Sequence, residues 1–418
     1  ASWVTTVKTS TFTAVAGEGY FVNTTGGAVT VNLPAGTAGA VVAIKDYAKT
    51  FDSNACTLVQ NGSDKIGGST TNAIINTKGI AITLVFIDST QGWLVTDDGL
   101  QSSASTASFI AASGGNATVT CGSFKTHIFT GPGTFCVSAT GNACGSNTVE
   151  YLVVAGAAGG SSDWAGGSGA GGMRTRSISP SAHPINAPAN LPVSVQGYPI
   201  TVGGAGTIGG QNELGGQGSS SIFSTISSAG GGRSGNEGNN GNGGDGGSGG
   251  GGGTGGGPGP GVGGTGNTPP VSPPQGNPGG QNENNTTGYT AGGGGAGGAG
   301  EGVSPGCNTQ IPGGAGGIGA YIVDGFIGPT APSYGTSGPV SSTRYFAGGG
   351  GGAAGSSPRT GGAGGSGGGG AGGVSTAKGT DGTINTGGGG GGGSGNESPN
   401  PGSGGGSGIV MIRYKFQE

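Results

Sequence analysis

The sequence predicts an all-β protein with essentially no α-helix. It has a small N-terminal β-sandwich or open barrel, then a small β-unit that carries a large inserted bundle of polyglycine II helices. Three observations lead there. Short apolar or β-branched runs separated by turn residues fill the first hundred positions. Helical periodicity is nearly absent. After a long glycine-rich stretch, the chain returns to a strand pattern just before it stops.

In residues 1–100 the runs are TSTFTAV (9–15), GYFVNT (19–24), AVTVNLP (28–34), AVVAIKD (40–46), CTLVQN (56–61), AIINT (73–77), GIAITLVFID (79–88) and GWLVTD (92–97). Turn-forming stretches such as PAGTAG, NGSD and STQG separate them. Strands this short and this regularly spaced suggest a sandwich or an open barrel, with Phe86 and Trp93 in its core. A Gly/Ser/Ala-rich joint follows, with the linker proper at 101–116.

Residues 117–154 hold three more strand-like segments, ATVTCG, THIFTGPGTFCVS and TVEYLVVAG. IVMIRYKF (409–416) matches them in composition. Together, 117–154 and 409–418 form one β-base, and 155–408 is inserted into it.

Glycine sets the character of that insertion. Of 418 residues 112 are glycine, and only 19 of these precede residue 155. The first part can therefore bury a side-chain core and the second cannot. Three conformations compete for the glycine blocks. A Gly/Ser linker is a random coil. Collagen needs glycine at every third position, a period that GNNGNGGDGGSGGGGG (238–253) lacks. Polyglycine II has three residues per turn and no internal hydrogen bonds, so its helices must pair laterally. Close backbone approach then calls for glycine at inward positions, with Ser, Asn or Ala carried outward on edge helices. Ordering such a chain costs about 1–2 kcal/mol per residue, and glycine is the worst case. Only a cooperative bundle offsets that cost. The final strand pins the end of the insertion to the base from which it began, and the ordered bundle is the expectation.

Much chemistry is excluded by composition. Net charge is −4 with no basic block, which argues against nucleic acid. The apolar runs at 79–87 and 151–158 are too short to span a bilayer, so no membrane insertion is expected. ASWVTTVKTS lacks a signal-peptide profile, and Ala1 is what removal of an initiator Met would leave. A product assembled in a cytoplasm is the expectation. Five cysteines, Cys56, Cys121, Cys136, Cys144 and Cys307, stand at no metal-ligand spacing. Cys136 and Cys144 could close a hairpin loop, or all five could be plain thiols. G-x-G-x-x-G matches are trivial in glycine tracts, and GNGGDGG (241–247) lacks the apolar position of a calcium-binding repeat. His127 sits in an apolar strand, far in sequence from His183. No enzyme, cofactor or metal site is expected.

The positive signal is aromatic. Trp164, Tyr198, Tyr289, Tyr321, Phe326, Tyr334, Tyr345 and Phe346 lie in or beside the glycine-poor segments. Either they plug the ends of the bundle or some stand at loop tips, where they contact sugars or surface proteins. The candidate receptor contacts are Tyr198, Asn284, Asn285, Tyr289, Phe326, Tyr334, Arg344 and Tyr345.

Four phrases, VEYLVVAGAAGG, PVSVQGYPITVGGAG, SIFSTISSAGGG and GGSGIVMIRY, resemble the glycine-rich domain of bacteriophage tail-fibre and adhesin proteins. ASWVTTVKTSTFTAVAGEGYFVNTTGGAVTVNLPAG, AVVAIKDYAKTF and QGWLV are similar to domains of virion structural proteins of marine phages, cyanophages especially. The resemblance implies a virion fibre or adhesin, exposed on the particle. In T-even-type fibre-tip adhesins, packed polyglycine II helices present variable loops that select the receptor. Carried over by position, those loops are 173–202, 267–290 and 320–346. Those adhesins mount through a different N-terminal domain, and the segment lengths here are irregular. The implied partners are other virion proteins through residues 1–100 and a host-surface glycan or protein, with a homotrimer as the assembly. The rival is a purely structural decoration or spacer on head or tail; a cellular surface filament is more remote.

Overall fold

The computed structural model describes residues 1–100, 107–142, 145–177, 185–210, 213–255, 259–283, 288–304, 311–355, 359–395 and 402–417. Residues 101–106 of the expected joint, Cys144, Cys307, His183, Asn284 and Asn285 lie outside them. Among the described residues, strands account for 31% and helix for 3%. The chain divides into two compact units, Ala1–Thr106 and Ala107–Glu418.

In the first unit the chain alternates between two sheets. β1 (Ser2–Lys8), β3 (Glu18–Val22), β5 (Val41–Asp46), β8 (Ile80–Phe86) and β9 (Trp93–Leu100) form one, in that order. β2 (Phe12–Thr13), β4 (Val29–Asn32), β6 (Cys56–Val59) and β7 (Ala73–Ile75) form the other. Because successive strands cross from sheet to sheet, β1, β3 and β5 pair in parallel, as do β2, β4 and β6. Antiparallel pairing enters only with β7, β8 and β9. The two-residue alternation turns Val29 and Val31 inward and leaves Thr30 and Asn32 half-exposed. Val22, Ile44, Leu58, Leu84 and Trp93 join them in one core between the sheets. Each such side chain contributes about 1.5–3 kcal/mol. The result is a sandwich, and Phe86 meets Trp93 edge-on inside it at 5.5 Å. The strand expected at 9–15 is replaced by β1 and the two-residue β2. β1 went unread because it is a mostly exposed edge strand, with little apolar alternation to betray it.

The second unit also stacks two sheets. β10 (Ala111–Ser113), β13 (Gly133–Ala139), β17 (Gln196–Thr201), β18 (Ser221–Phe223) and β19 (Ile226–Ser228) make one. β11 (Ala117–Cys121), β12 (Phe124–Phe129), β22 (Ile409–Lys415), β14 (Thr148–Val154) and β15 (Met173–Arg176) make the other, with β16 (Leu191–Pro192) beside β14. The last strand is central: Ile412 stands opposite His127 on β12 and Tyr151 on β14. Val410, Ile412 and Tyr414 face the first sheet and pack with Phe135, Tyr198 and Phe223. Ile409 and Met411 face the other way, onto Leu152, Met173, Phe326 and Phe346. Covered on both faces, these strands read as continuous apolar runs.

Several expectations are corrected here. THIFTGPGTFCVS is two strands in different sheets, not one. The joint is not all linker, since Ile110 is buried and 111–113 is an edge strand. Segment 173–202 supplies β15, β16 and β17. Segment 320–346 supplies the hairpin β20 (Ala320–Val323) and β21 (Thr343–Phe346) with the single turn of helix α1 (Asp324–Ile327) between them. Both complete the base.

The glycine blocks form a laterally bonded bundle. Along 165–172 the amides donate with a period of three. Residues 165, 168 and 171 donate to the carbonyls of 393, 390 and 387; residues 166, 169 and 172 to those of 235, 232 and 229; residues 167 and 170 to those of 291 and 294. The amides of this helix thus reach three neighbours, two antiparallel and one parallel, and its carbonyls accept from three more, at 155–158, 248–251 and 350–353. This is the lateral pairing that a helix without internal hydrogen bonds requires. Residues 247–254 and 347–354 repeat the pattern. A methyl group at Gly167 or Gly391 would sit on a carbonyl oxygen of the next helix. The outward placement expected for Ser and Ala is corrected, however. Ala165, Ser168, Ala170 and Ser248 are fully buried, in directions where a Cβ falls between neighbouring helices.

Candidate functional site: the far end of the glycine bundle

The hydrogen bonds order the bundle end to end. Residues 155–160 run outward from β14, and 165–172 run back to β15. The base end holds β15–β21 and residues 267–275, where the Gln275 carbonyl accepts from Met173 N at 2.8 Å. The opposite end, remote from the sheets of this unit, is made of short turns. One is 161–164, where Asp163 (φ 60°) and Trp164 (φ 52°) adopt the left-handed conformation that reverses the chain. The turns at 213, 236–241 and 374–377 lie there too, as do 282–283, 288–290, 303–304 and 354–355.

These turns bond to one another. Ser162 Oγ donates to Gly210 O at 2.7 Å, Asn236 Nδ2 to Glu213 O at 3.3 Å, and Glu237 N to Asp163 O at 3.1 Å. Thr254 N donates to Trp164 O at 3.1 Å, and Thr290 Oγ1 to Ala165 O at 2.7 Å. Asn282 Nδ2 reaches both Gly253 O and Tyr289 O. The Arg359 guanidinium lies 5.4 Å from the Tyr289 ring centre and donates to Gly288 O at 3.4 Å. The outcome is a continuous polar surface with half-buried Trp164, Tyr289 and Arg359 and exposed Glu213 and Glu283. Fixed aromatic faces, a guanidinium and carboxylates suit non-covalent recognition of sugars or protein surfaces.

Of the eight residues named from sequence, Tyr289 is at this end, and Asn284 and Asn285 lie outside the described residues. The other five belong to the base. Tyr198 is between the sheets, its hydroxyl accepting from Ser194 N at 2.8 Å. Phe326 and Tyr345 are 1% and 3% exposed. Burial withdraws these three from receptor contact; they are plugs. Half-buried Arg344 donates to Tyr334 O and Gly335 O, both at 2.7 Å, and so ties half-buried Tyr334 into the base. Trp164 and Arg359 were missed as contacts. Their signal was the short non-glycine breaks SSDW and SSPRT, overshadowed by longer segments.

Among the described residues there is no cluster of three or more His, Cys, Asp or Glu that could hold a metal, and no helix is long and apolar enough to cross a membrane. His127 is packed between the sheets of the base.

Comparison with known families agrees with this division. Residues 2–101 match the family described as bacteriophage T4 gp9/10-like protein, N-terminal. Residues 129–415 match the family described as glycine-rich domain. No curated protein matches the chain. The larger match spans well over half of the sequence: the protein belongs to the glycine-rich domain family, and ahead of that domain it carries one like the N-terminal domain of a phage structural protein.

Proposed function

We propose that this is a phage fibre protein that attaches to the particle through its first unit and recognises the host surface through the far-end turns of its glycine bundle. The observation that carries this reading is the period-three bonding. It holds many short turns at one end as a single stiff surface, so little conformational entropy is lost on binding. Recognition is non-covalent, of a surface glycan or protein, and several copies as a homotrimer add avidity.

The test is adsorption of fluorescently labelled full-length protein to intact bacteria that the phage infects, beside a variant carrying Trp164→Ala, Tyr289→Ala and Arg359→Ala. Binding lost by a variant that melts as the parent does supports the reading. Binding kept by the variant removes the far end as the site. No binding by the parent leaves a structural spacer.

A further inference from the structure

We propose that the outer end of the six-stranded sheet holds a second binding site, a pocket for one acidic sugar residue. Where the sheet face runs out beyond Phe326, a cavity of about 170 Å³ opens between the start of β14 and the end of β22. Phe124, Ser146, Thr148, Asn190, Arg413 and Lys415 line it, together with Glu150. None of them belongs to the far-end surface.

Charge defines what fits. Glu150 is 2% exposed, and its carboxylate is committed to Arg413, its direct cross-strand partner. The guanidinium lies over the Phe124 ring at 3.7 Å and near Phe326 at 5.6 Å, so its orientation is fixed before any ligand arrives. Its Nε is buried without a hydrogen-bond partner among the described residues, a costly state for a charged donor. Lys415 adds a cation that forms no ion pair among the described residues, where Lys78–Asp52, Lys378–Asp381 and Arg413–Glu150 are the pairs. The pocket therefore has positive charge in excess, which a carboxylate answers.

Size and lining narrow the class. The volume is that of five or six waters at roughly 30 Å³ each, the room one sugar ring needs, and well below the roughly 300 Å³ of the smaller drug-sized sites. Ser146 Oγ donates to Thr148 O, and Asn190 Oδ1 accepts from Arg176. Asn190 Nδ2 donates to Thr148 Oγ1 at 3.5 Å, which leaves its second amide hydrogen and the hydroxyl lone pairs for ring hydroxyls. Free phosphate would satisfy the same cations but leave those groups unused.

Isothermal titration of the full chain with glucuronate, glucose and inorganic phosphate tests this, using the parent, Lys415→Gln and Asn190→Ala. Lys415 is half-exposed, so its replacement should leave the melting temperature close to the parent's, which the same samples check. Glucuronate should bind, glucose should not at the same concentrations, and Lys415→Gln should weaken glucuronate roughly tenfold or more. Phosphate binding as tightly as glucuronate, with Asn190→Ala without effect, would overturn the sugar and leave a plain anion pocket. No binding of glucuronate, or binding unchanged in Lys415→Gln, would overturn the site. The variant lacking Trp164, Tyr289 and Arg359 should bind glucuronate as the parent does, which separates this site from the far-end surface.

Discussion

His127 on β12 lies parallel to Tyr414 on β22, their ring centres 5.7 Å apart and their planes at 17°, with His127 Nε2 3.1 Å from the phenolic oxygen. The other nitrogen, Nδ1, is 2.6 Å from Gly114 O. A carbonyl only accepts, so Nδ1 carries the proton and Nε2 accepts from the tyrosine. One ring thus ties the last strand of the chain to the beginning of the second unit.

That arrangement makes the second unit acid-sensitive. Burial is the largest influence on His127 and lowers its pKa below the ordinary 6.5; the Gly114 bond opposes this, and Lys125 adds to it. The unfolded chain takes up a proton near 6.5 and the folded chain resists it. Stability from this residue is complete above pH 6.5 and is lost as pH falls below it. Melting curves at pH 8, 6.5 and 5.5 should show a drop for the parent that His127→Gln lacks. Parallel curves for the two proteins would refute it.

The sequence carried the burial pattern of individual strands well and the details of the insertion poorly. The alternation in VTVN and in IAITLVF shows which side of each strand is buried. The return to IVMIRYK after the glycine implies a closing strand. Which glycine-poor segments face solvent was not legible, because an aromatic such as Phe326 reads the same whether it plugs a core or crowns a loop. What decides is the direction of each polyglycine helix, and that depends on pairing between residues as distant as 168 and 350. A repetitive tract gives no local sign of such pairing.

Gly167 and Gly204 separate packing from flexibility. A Cβ at Gly167 would strike the Gly350 carbonyl and drive two inner helices apart, whereas one at Gly204 meets nothing within 4 Å. Gly167→Ala should destabilise the second unit by about 1–3 kcal/mol, the usual cost of overpacking. Gly204→Ala should be neutral or stabilise it by about 0.4–1 kcal/mol, because the unfolded chain loses freedom. Equal melting temperatures for the two variants would mean that the bundle is loose.

Glu150→Gln should be among the most damaging single changes in the base. It leaves the Arg413 guanidinium, 15% exposed and pinned against Phe124, without its counter-charge. Breaking a buried pair in this way costs about 3–5 kcal/mol. Adding Arg413→Met should recover much of the loss, since it removes the stranded charge. Denaturant midpoints of the single and double variants give the coupling. If the double variant is as weak as the single, the pair is not what Glu150 supports.

Amide hydrogen exchange asks most directly whether the glycine run 387–393 is scaffold or coil. Gly389 N donates to Gly348 O at 2.8 Å, Gly391 N to Thr380 O at 3.0 Å, Gly392 N to Gly351 O at 2.9 Å and Gly393 N to Ser161 O at 3.1 Å. Successive amides point to different helices, so freeing any one of them means parting the run from several neighbours together. Opening is then sub-global and slow, like that of a central strand. These amides should exchange as slowly as those of β22, despite a sequence that, isolated, would be free coil. Exchange at the rate of an unstructured peptide would remove the stiff support on which the far-end surface depends.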